Sequence, residues 1–262
     1  MYDSHMHTPL CKHAIGTPAQ YLQAAQKSGL KGIIMTDHSP MPAWFDADFR
    51  MGLEELPFYH TMLEKVRAES GDFYFGIGLE ADFHPGTEPY LRKLISAYPY
   101  DYIIGSVHYL GAWPFDNPNF ATEFDQRDLR GVYREYFKLV AQAAQSGLFH
   151  SIGHLDLPKK FGHIPAEGYL DLAQEALQAM AGEGLALDVN TAGWRKPVGE
   201  IYPSPALLAR AHQLGIPTVL GSDAHQPGEV GYRFPDAADV LKAAGYREAW
   251  VFRAGKPQTY SL

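Results

Sequence analysis

A single cysteine, Cys11, occurs in 262 residues, so no internal disulfide framework can staple this chain and its chemistry suits a reducing compartment. Basic residues are also scarce, with 22 Lys and Arg against 30 Asp and Glu. The resulting formal charge of -8 argues against holding a nucleic-acid backbone, which needs clustered Lys and Arg, and favours a small-molecule partner. No apolar run approaches the ~20 residues that cross a bilayer, and the amino terminus reads as an acidic, His-bearing strand, not a secretory signal. Low-complexity linkers, sequence repeats and breaks in composition are absent too. The expectation is one soluble, cytoplasmic domain over residues 1–262, large enough to bury a sizeable core, with its oligomeric state left open.

What the chain has in quantity is histidine, twelve in all, placed unevenly. Asp3-Ser4-His5-Met6-His7 sets two imidazoles two apart, on one face if the segment is a strand, and aims both at a single point. Short apolar runs recur, each closed by a polar residue: Gly32 to Met35 before Thr36-Asp37-His38, Phe73 to Glu80, Tyr102 to His108, Phe149 to His154, Ala186 to Asn190, and Thr218 to Ser222 before Asp223-Ala224-His225. Between them lie helical stretches: an N-cap at Thr17-Pro18 leading to a helix closed by Gly29, then about 53–69, 88–97, 129–146, 167–182, 204–213 and 235–244. A last short strand, Ala249 to Phe252, precedes a tail.

Strands alternating with helices imply a parallel sheet, and seven such units in a chain of this size imply closure into a (β/α) barrel, the open doubly wound sheet being the fallback. The polar strand ends decide for the barrel. Closure brings His5, His7, Asp37, His38, Glu80, His108, His154, Asn190, Asp223 and His225 to one face, where barrel enzymes keep their sites, whereas an open sheet would scatter them. The clustering points to metal. Glu80 stands out because a carboxylate can bridge two cations and an imidazole cannot, which implies more than one ion. Asp3 and Asp37 read as acceptors that fix an imidazole tautomer; His60 and His212, inside helices, read as surface residues, and His84 and His150 as structural.

Taken together, His5-Met6-His7, His13, Thr36-Asp37-His38, Glu80, Gly105-Ser106-Val107-His108, Gly153-His154 and Gly221-Ser222-Asp223-Ala224-His225 resemble the successive motifs of the PHP family, the polymerase and histidinol phosphatase phosphoesterases. The resemblance runs nearly end to end. Cys11-Lys12-His13, Gly78-Leu79-Glu80-Ala81-Asp82, Gly153-His154-Leu155-Asp156 and Asn190-Thr191-Ala192-Gly193-Trp194-Arg195-Lys196 are similar to the monofunctional histidinol-phosphate phosphatase branch. It implies a single distorted (β/α)7 barrel and a centre of three metal ions. One ion would take His5, His7, Glu80 and Asp223, a second Glu80, His108 and His154, and the third His13, His38 and His225.

The chemistry expected of such a chain is hydrolysis of L-histidinol phosphate by a metal-bridging hydroxide, the ions being zinc, iron or manganese. Glu80, Asp223 and His225 then belong to the catalytic set. Arg195 is the expected fork onto the substrate phosphate, because guanidinium matches phosphate oxygens bidentately; Lys159, Lys160 and Arg50 are weaker candidates. Cys11 lacks the phosphate-cradling loop and arginine expected around a phosphocysteine enzyme. An ammonium and imidazole on the substrate would favour the loops holding Trp44, Phe45, Asp46, Trp113 and Trp194. Rival readings are an amidohydrolase, whose usual binuclear form needs a lysine where His108 stands, a nuclease of the same family, and a noncatalytic metal-binding module.

Overall fold

A computed structural model describes residues 1–262. The chain alternates strand and helix. In order, β1 (Tyr2–Asp3), α1 (Pro18–Lys27), β2 (Gly32–Met35), α2 (Leu56–Glu69), β3 (Tyr74–Asp82), α3 (Glu88–Ile95), β4 (Tyr102–Ser106), α4 (Leu129–Gln145) and β5 (Ser151–Ile152) form its first half. Then come α5 (Gln174–Glu183), β6 (Ala186–Asn190), α6 (Pro205–Gln213), β7 (Thr218–Gly221), α7 (Phe234–Ala244), β8 (Glu248–Arg253) and β9 (Lys256–Ser261).

The helices begin where local chemistry satisfies their free amides. Before α1, Thr17 and Gln20 cap each other's backbone reciprocally and Pro18 fills the first turn, while Tyr21, Leu22 and Ala25 supply the buried stripe. In α4 the cap is Asp128, and Val132, Tyr133, Tyr136, Phe137, Val140 and Ala144 repeat at helical spacing along the buried face.

Strands β1 to β8 pair in sequence order and in parallel, and β9 returns antiparallel along β8. The first and seventh strands also meet. Ser4 N–H donates to the Leu220 carbonyl at 2.8 Å, Asp223 N–H to His5 at 2.8 Å, and His7 N–H to Ala224 at 2.9 Å, closing a seven-stranded ring at its carboxyl end. Near the amino ends β8 takes over as the neighbour of β7 through Val219 and Trp250, so the barrel splays there and is distorted. Side chains inside the ring alternate with those outside. Ile34, Tyr102, Ile104, Ala186, Val219, Val251 and Phe252 form one buried cluster that plugs the floor, and a much larger apolar core lies around it. Above the floor the same period of two raises polar groups: Ser106 and His108 continue the row of Tyr102 and Ile104, and Asp188 and Asn190 continue that of Ala186.

Four local expectations change. The helix placed at 167–182 begins only at Gln174, because residues 165–173 form turns around Gly168, whose φ of 75° a helix cannot use. Ladder pairing of β5 covers only Ser151 and Ile152, not Phe149 to His154; beyond its carboxyl end His154 turns into left-handed backbone at φ 25°. The tail is a strand: Ala254 and Gly255, both at positive φ, make the tight turn that folds β9 onto β8. His60 is buried, its ring stacked on Tyr98 with centroids 3.7 Å apart and bonded to the Tyr100 hydroxyl at 2.9 Å.

Candidate metal centre

All nine residues that the motifs single out meet at the carboxyl end of the barrel. Glu80, buried at the centre, faces His5 Nε2 at 3.3 Å, His7 Nε2 at 3.5 Å and His38 Nδ1 at 3.1 Å through Oε2. Through Oε1 it faces His154 Nε2 at 3.0 Å and His108 Nε2 at 3.6 Å. Asp223 Oδ1 lies 3.1 Å from His7 Nε2 and 3.9 Å from His5 Nε2. At the rim, His13 Nε2 and His225 Nε2 are 2.9 Å apart.

For five of the seven rings the far nitrogen explains how the near one is aimed. His5 Nδ1 donates to Asp188 at 2.9 Å, His108 Nδ1 to Asp82, His13 Nδ1 to the Cys11 carbonyl at 2.7 Å and His225 Nδ1 to the Asp223 carbonyl at 3.0 Å. His7 Nδ1 faces Asp37 Oδ1 at 3.4 Å. With Nδ1 holding the proton, Nε2 presents a lone pair to the cluster. That arrangement only makes sense around cations: His108 Nε2 and His154 Nε2 point at one another across 3.3 Å, and buried His5 Nε2 and His38 Nδ1 find no hydrogen-bond partner in the protein. The donor set therefore fits metal.

Electrostatics agree. Burial pushes the Glu80 and Asp223 carboxyls up, but the imidazoles around them outweigh it and hold both well below the usual carboxylate range, so both are anionic. Burial pushes His38 and His225 well down, leaving them neutral and free to ligate. For His7 and His108 burial acts in the same sense, yet Asp223 and Asp37 beside one, and Asp82 beside the other, raise each to about 9. Without cations, these two rings compete for protons with the role their geometry suits.

Close packing lets these groups approach. A Cβ on Gly221 would lie 2.4 Å from Asp188 Oδ1 and 2.6 Å from His5 Cβ, so only glycine lets β7 pass the His5–Asp188 pair. Asp223 itself sits at φ 51° and is fastened by the Asp223 N–H to His5 bond and by Arg195, whose Nη2 donates to the carbonyls of Ser222 at 2.9 Å and Asp223 at 3.1 Å.

Above the donors opens a cavity of about 320 Å³. Arg195 lines it, as do Lys160, Lys196 and Arg50; Asp46, Asp116, Phe49, Tyr109, Tyr202 and Glu229 complete the other walls. Of the sequence candidates, Asp46 is present, bonded to the Tyr109 hydroxyl at 2.7 Å, whereas Trp44 is exposed, Trp113 is buried beside Phe124, and Trp194 lies under Arg233. Lys159 is not a site residue: fully buried, it is spent on Asp156 at 3.0 Å, Glu200 at 2.5 Å and the Ile201 carbonyl. Asp3 touches no imidazole ring; its carboxylate accepts the backbone N–H of Ser222 and Gly231. Burial, reinforced by Asp37, pushes the Cys11 thiol further up, so it stays protonated.

Sequence reasoning missed Asp82, Asp188 and Ser106, which orient His108, His5 and Glu80; Ser106 Oγ donates to Glu80 at 2.6 Å. The signal was the period of two, since Asp82 follows Glu80 and Asp188 precedes Asn190 by two residues on the same strand face.

The fold and its donor set define a metal-binding α/β barrel. The PHP domain family matches residues 3–192, and the chain belongs to that family. Among its relatives, a probable histidinol-phosphatase of Deinococcus radiodurans is 57% identical over 98% of both chains. The histidinol-phosphatase of Bacillus subtilis is 32% identical over 88% of this chain and 96% of its own. The fold is similar, with a TM-score of 0.85 and 26% identity over 98% of each chain, to a histidinol phosphate phosphatase crystal structure from Lactococcus lactis in complex with zinc, L-histidinol and phosphate.

Proposed function

We propose that this chain is a metal-dependent phosphomonoesterase that hydrolyses L-histidinol phosphate to L-histidinol and phosphate, in the biosynthesis of histidine. The observation that carries this reading is the composition of one cavity, where converging metal donors share the lining with four cationic side chains, several carboxylates and aromatic rings. Similarity to the Deinococcus radiodurans and Bacillus subtilis relatives, and to the zinc, L-histidinol and phosphate complex of the Lactococcus lactis enzyme, supports the same substrate.

Three ions are proposed, each zinc, iron or manganese: one on His5, His7, Glu80 and Asp223, one on Glu80, His108 and His154, one on His13, His38 and His225. Supporting them are the separate facings of the two Glu80 oxygens and the His13–His225 approach. When bound, such ions acidify coordinated water and neutralise phosphoryl oxygens, which is what hydrolysis of a slow alkyl phosphate monoester requires. The chain's own residues do the rest. Glu80 and Asp223 supply fixed negative charge, Asp82, Asp188 and Asp37 hold imidazole tautomers, and His225 keeps its proton on Nδ1 against the Asp223 carbonyl. Arg195 adds positive charge to the phosphate side of the cavity while fixing the backbone of Asp223. Asp46, held by the Tyr109 hydroxyl, and Asp116, paired with Lys160, are the carboxylates nearest a cationic substrate group, with Phe49 and Tyr109 as apolar walls.

The testing experiment compares phosphate release from L-histidinol phosphate, 4-nitrophenyl phosphate and a single-stranded oligonucleotide. The expected kcat/KM is highest for L-histidinol phosphate by at least ~10²-fold, the discrimination lost with a missing polar recognition group. Faster oligonucleotide cleavage would move the assignment to a nuclease, and no release by metal-loaded protein would make it a binding module.

A further inference from the structure

Four cationic side chains line the cavity, and three are already committed to acceptors in the protein. Arg50 Nη1 lies 2.5 Å from Asp82 Oδ2 and its Nε donates to the Asp46 carbonyl at 2.8 Å. Lys160 Nζ donates to the Asp116 carbonyl at 2.6 Å and contacts its carboxylate at 3.1 Å. Arg195 Nη2 is taken by two carbonyls and lies 3.4 Å from Glu229, while its Nη1 is buried without a hydrogen-bond partner and out of reach of the solvent in the cavity. Its fork is turned to the backbone.

Lys196 differs. Its backbone is fixed by the N–H to Gly193 carbonyl bond at 3.1 Å and by accepting Gly199 N–H at 2.9 Å, yet its ammonium has neither a hydrogen bond nor an ion pair. An ammonium carries three donors and no acceptor, so one left unpartnered on a half-buried wall beside Arg195 and Lys160 stands ready for an incoming anion. Burial lowers the Lys196 pKa and the two neighbouring cations lower it further, against the pull of Asp223; an anion placed among them relieves that repulsion.

We infer that Lys196 is the phosphate-binding residue of this cavity, its ammonium contacting the phosphoryl oxygens of the substrate, while Arg195 acts one step back as a positioning residue for Asp223. This rests on the phosphomonoesterase reading above. Because the contact is to the phosphoryl group, it is shared by every monoester the site accepts.

The test uses metal-loaded parent, Lys196→Met and Lys196→Arg, with inorganic phosphate binding measured by calorimetry and kcat/KM on L-histidinol phosphate and 4-nitrophenyl phosphate. Lys196→Met is expected to keep its metal content and unfolding midpoint, weaken inorganic phosphate at least about tenfold and lower kcat/KM by roughly 10²-fold on both esters, the scale of losing one charged donor to a phosphoryl group. Lys196→Arg should recover most of the phosphate affinity. A phosphate Kd in Lys196→Met within twofold of the parent, or equal losses in the Met and Arg variants, overturns the inference. A parent that prefers neither ester refutes the substrate reading instead, while its phosphate affinity still tests Lys196.

Discussion

Asp82 is the buried hinge between the donor cluster and the cavity wall, and replacing it with asparagine exposes how the two depend on each other. Burial pushes its carboxyl up, but His108 and Arg50 outweigh that and bring it to about 2, so it is charged at neutral pH. One oxygen accepts from His108 Nδ1 and the other from Arg50 Nη1 at 2.5 Å. An amide has one acceptor and one donor end, so Asp82→Asn can satisfy His108 or Arg50 but sets a donor against the other. Removing one partner of a buried ion pair costs about 3–5 kcal/mol. Arg50 keeps its bond to the Asp46 carbonyl, and a weak one to the Ser39 carbonyl at 3.5 Å, which puts the expected cost at the low end, about 3 kcal/mol. Arg50→Gln in the Asp82→Asn background removes the stranded cation, so the double variant should be more stable than the sum of the singles by about 1–2 kcal/mol. If the amide turns its donor to His108, that ring loses the acceptor that fixes its tautomer, and metal affinity falls about 10–100-fold. Urea unfolding of chelator-treated protein at pH 7.5, with elemental analysis of the untreated variants, measures both. Strictly additive stabilities together with parental metal retention in Asp82→Asn would refute the reasoning.

Glu80→Gln should cut turnover of L-histidinol phosphate by at least ~10³-fold and release metal while leaving the unfolding transition cooperative, since it removes the charge that both its oxygens share among five imidazoles. Near-parental activity with full metal content would show that Glu80 does not bridge. A pH effect comes from His60, remote from the donors, which burial and then Arg67 lower to about 4, against roughly 6.5 in an unfolded chain. The unfolded state binds this proton first, so the His60 contribution is complete above about pH 6.5 and is lost as pH falls towards 4. Between pH 7 and 5 the parent should lose about 1–2 kcal/mol more stability than His60→Phe. Parallel pH profiles for the two proteins would exclude that linkage.

The candidate centre was legible because its strands are short and apolar and end abruptly in His, Glu or Asp, so the chemistry marks the strand ends directly. Nothing about Glu80 or His154 had to be inferred from distant packing. The supporting shell was harder to read. Asp82 and Asp188 follow the same alternation, but a buried aspartate that holds an imidazole and one that holds backbone look alike in sequence, which is why Asp3 was credited with a role that Asp188 performs. Cationic residues were ambiguous for a related reason: Lys159, Lys160, Arg195 and Lys196 stand in two adjacent pairs, and only the positions of Asp156, Asp116 and Ser222 sort them into a buried structural lysine, a wall lysine, a committed arginine and a free ammonium. The β9 strand was missed because its exposed polar residues carry no apolar period, its pairing being set by the turn at Ala254-Gly255.

The most direct test of the whole account titrates chelator-stripped protein with metal and follows L-histidinol phosphate hydrolysis against ions bound per chain. Activity should stay near background until more than two ions are bound and reach its plateau at about three, because two of the proposed donor sets share Glu80, the third adjoins them, and all three act around one phosphoryl group. Full turnover at one bound ion or fewer would contradict it.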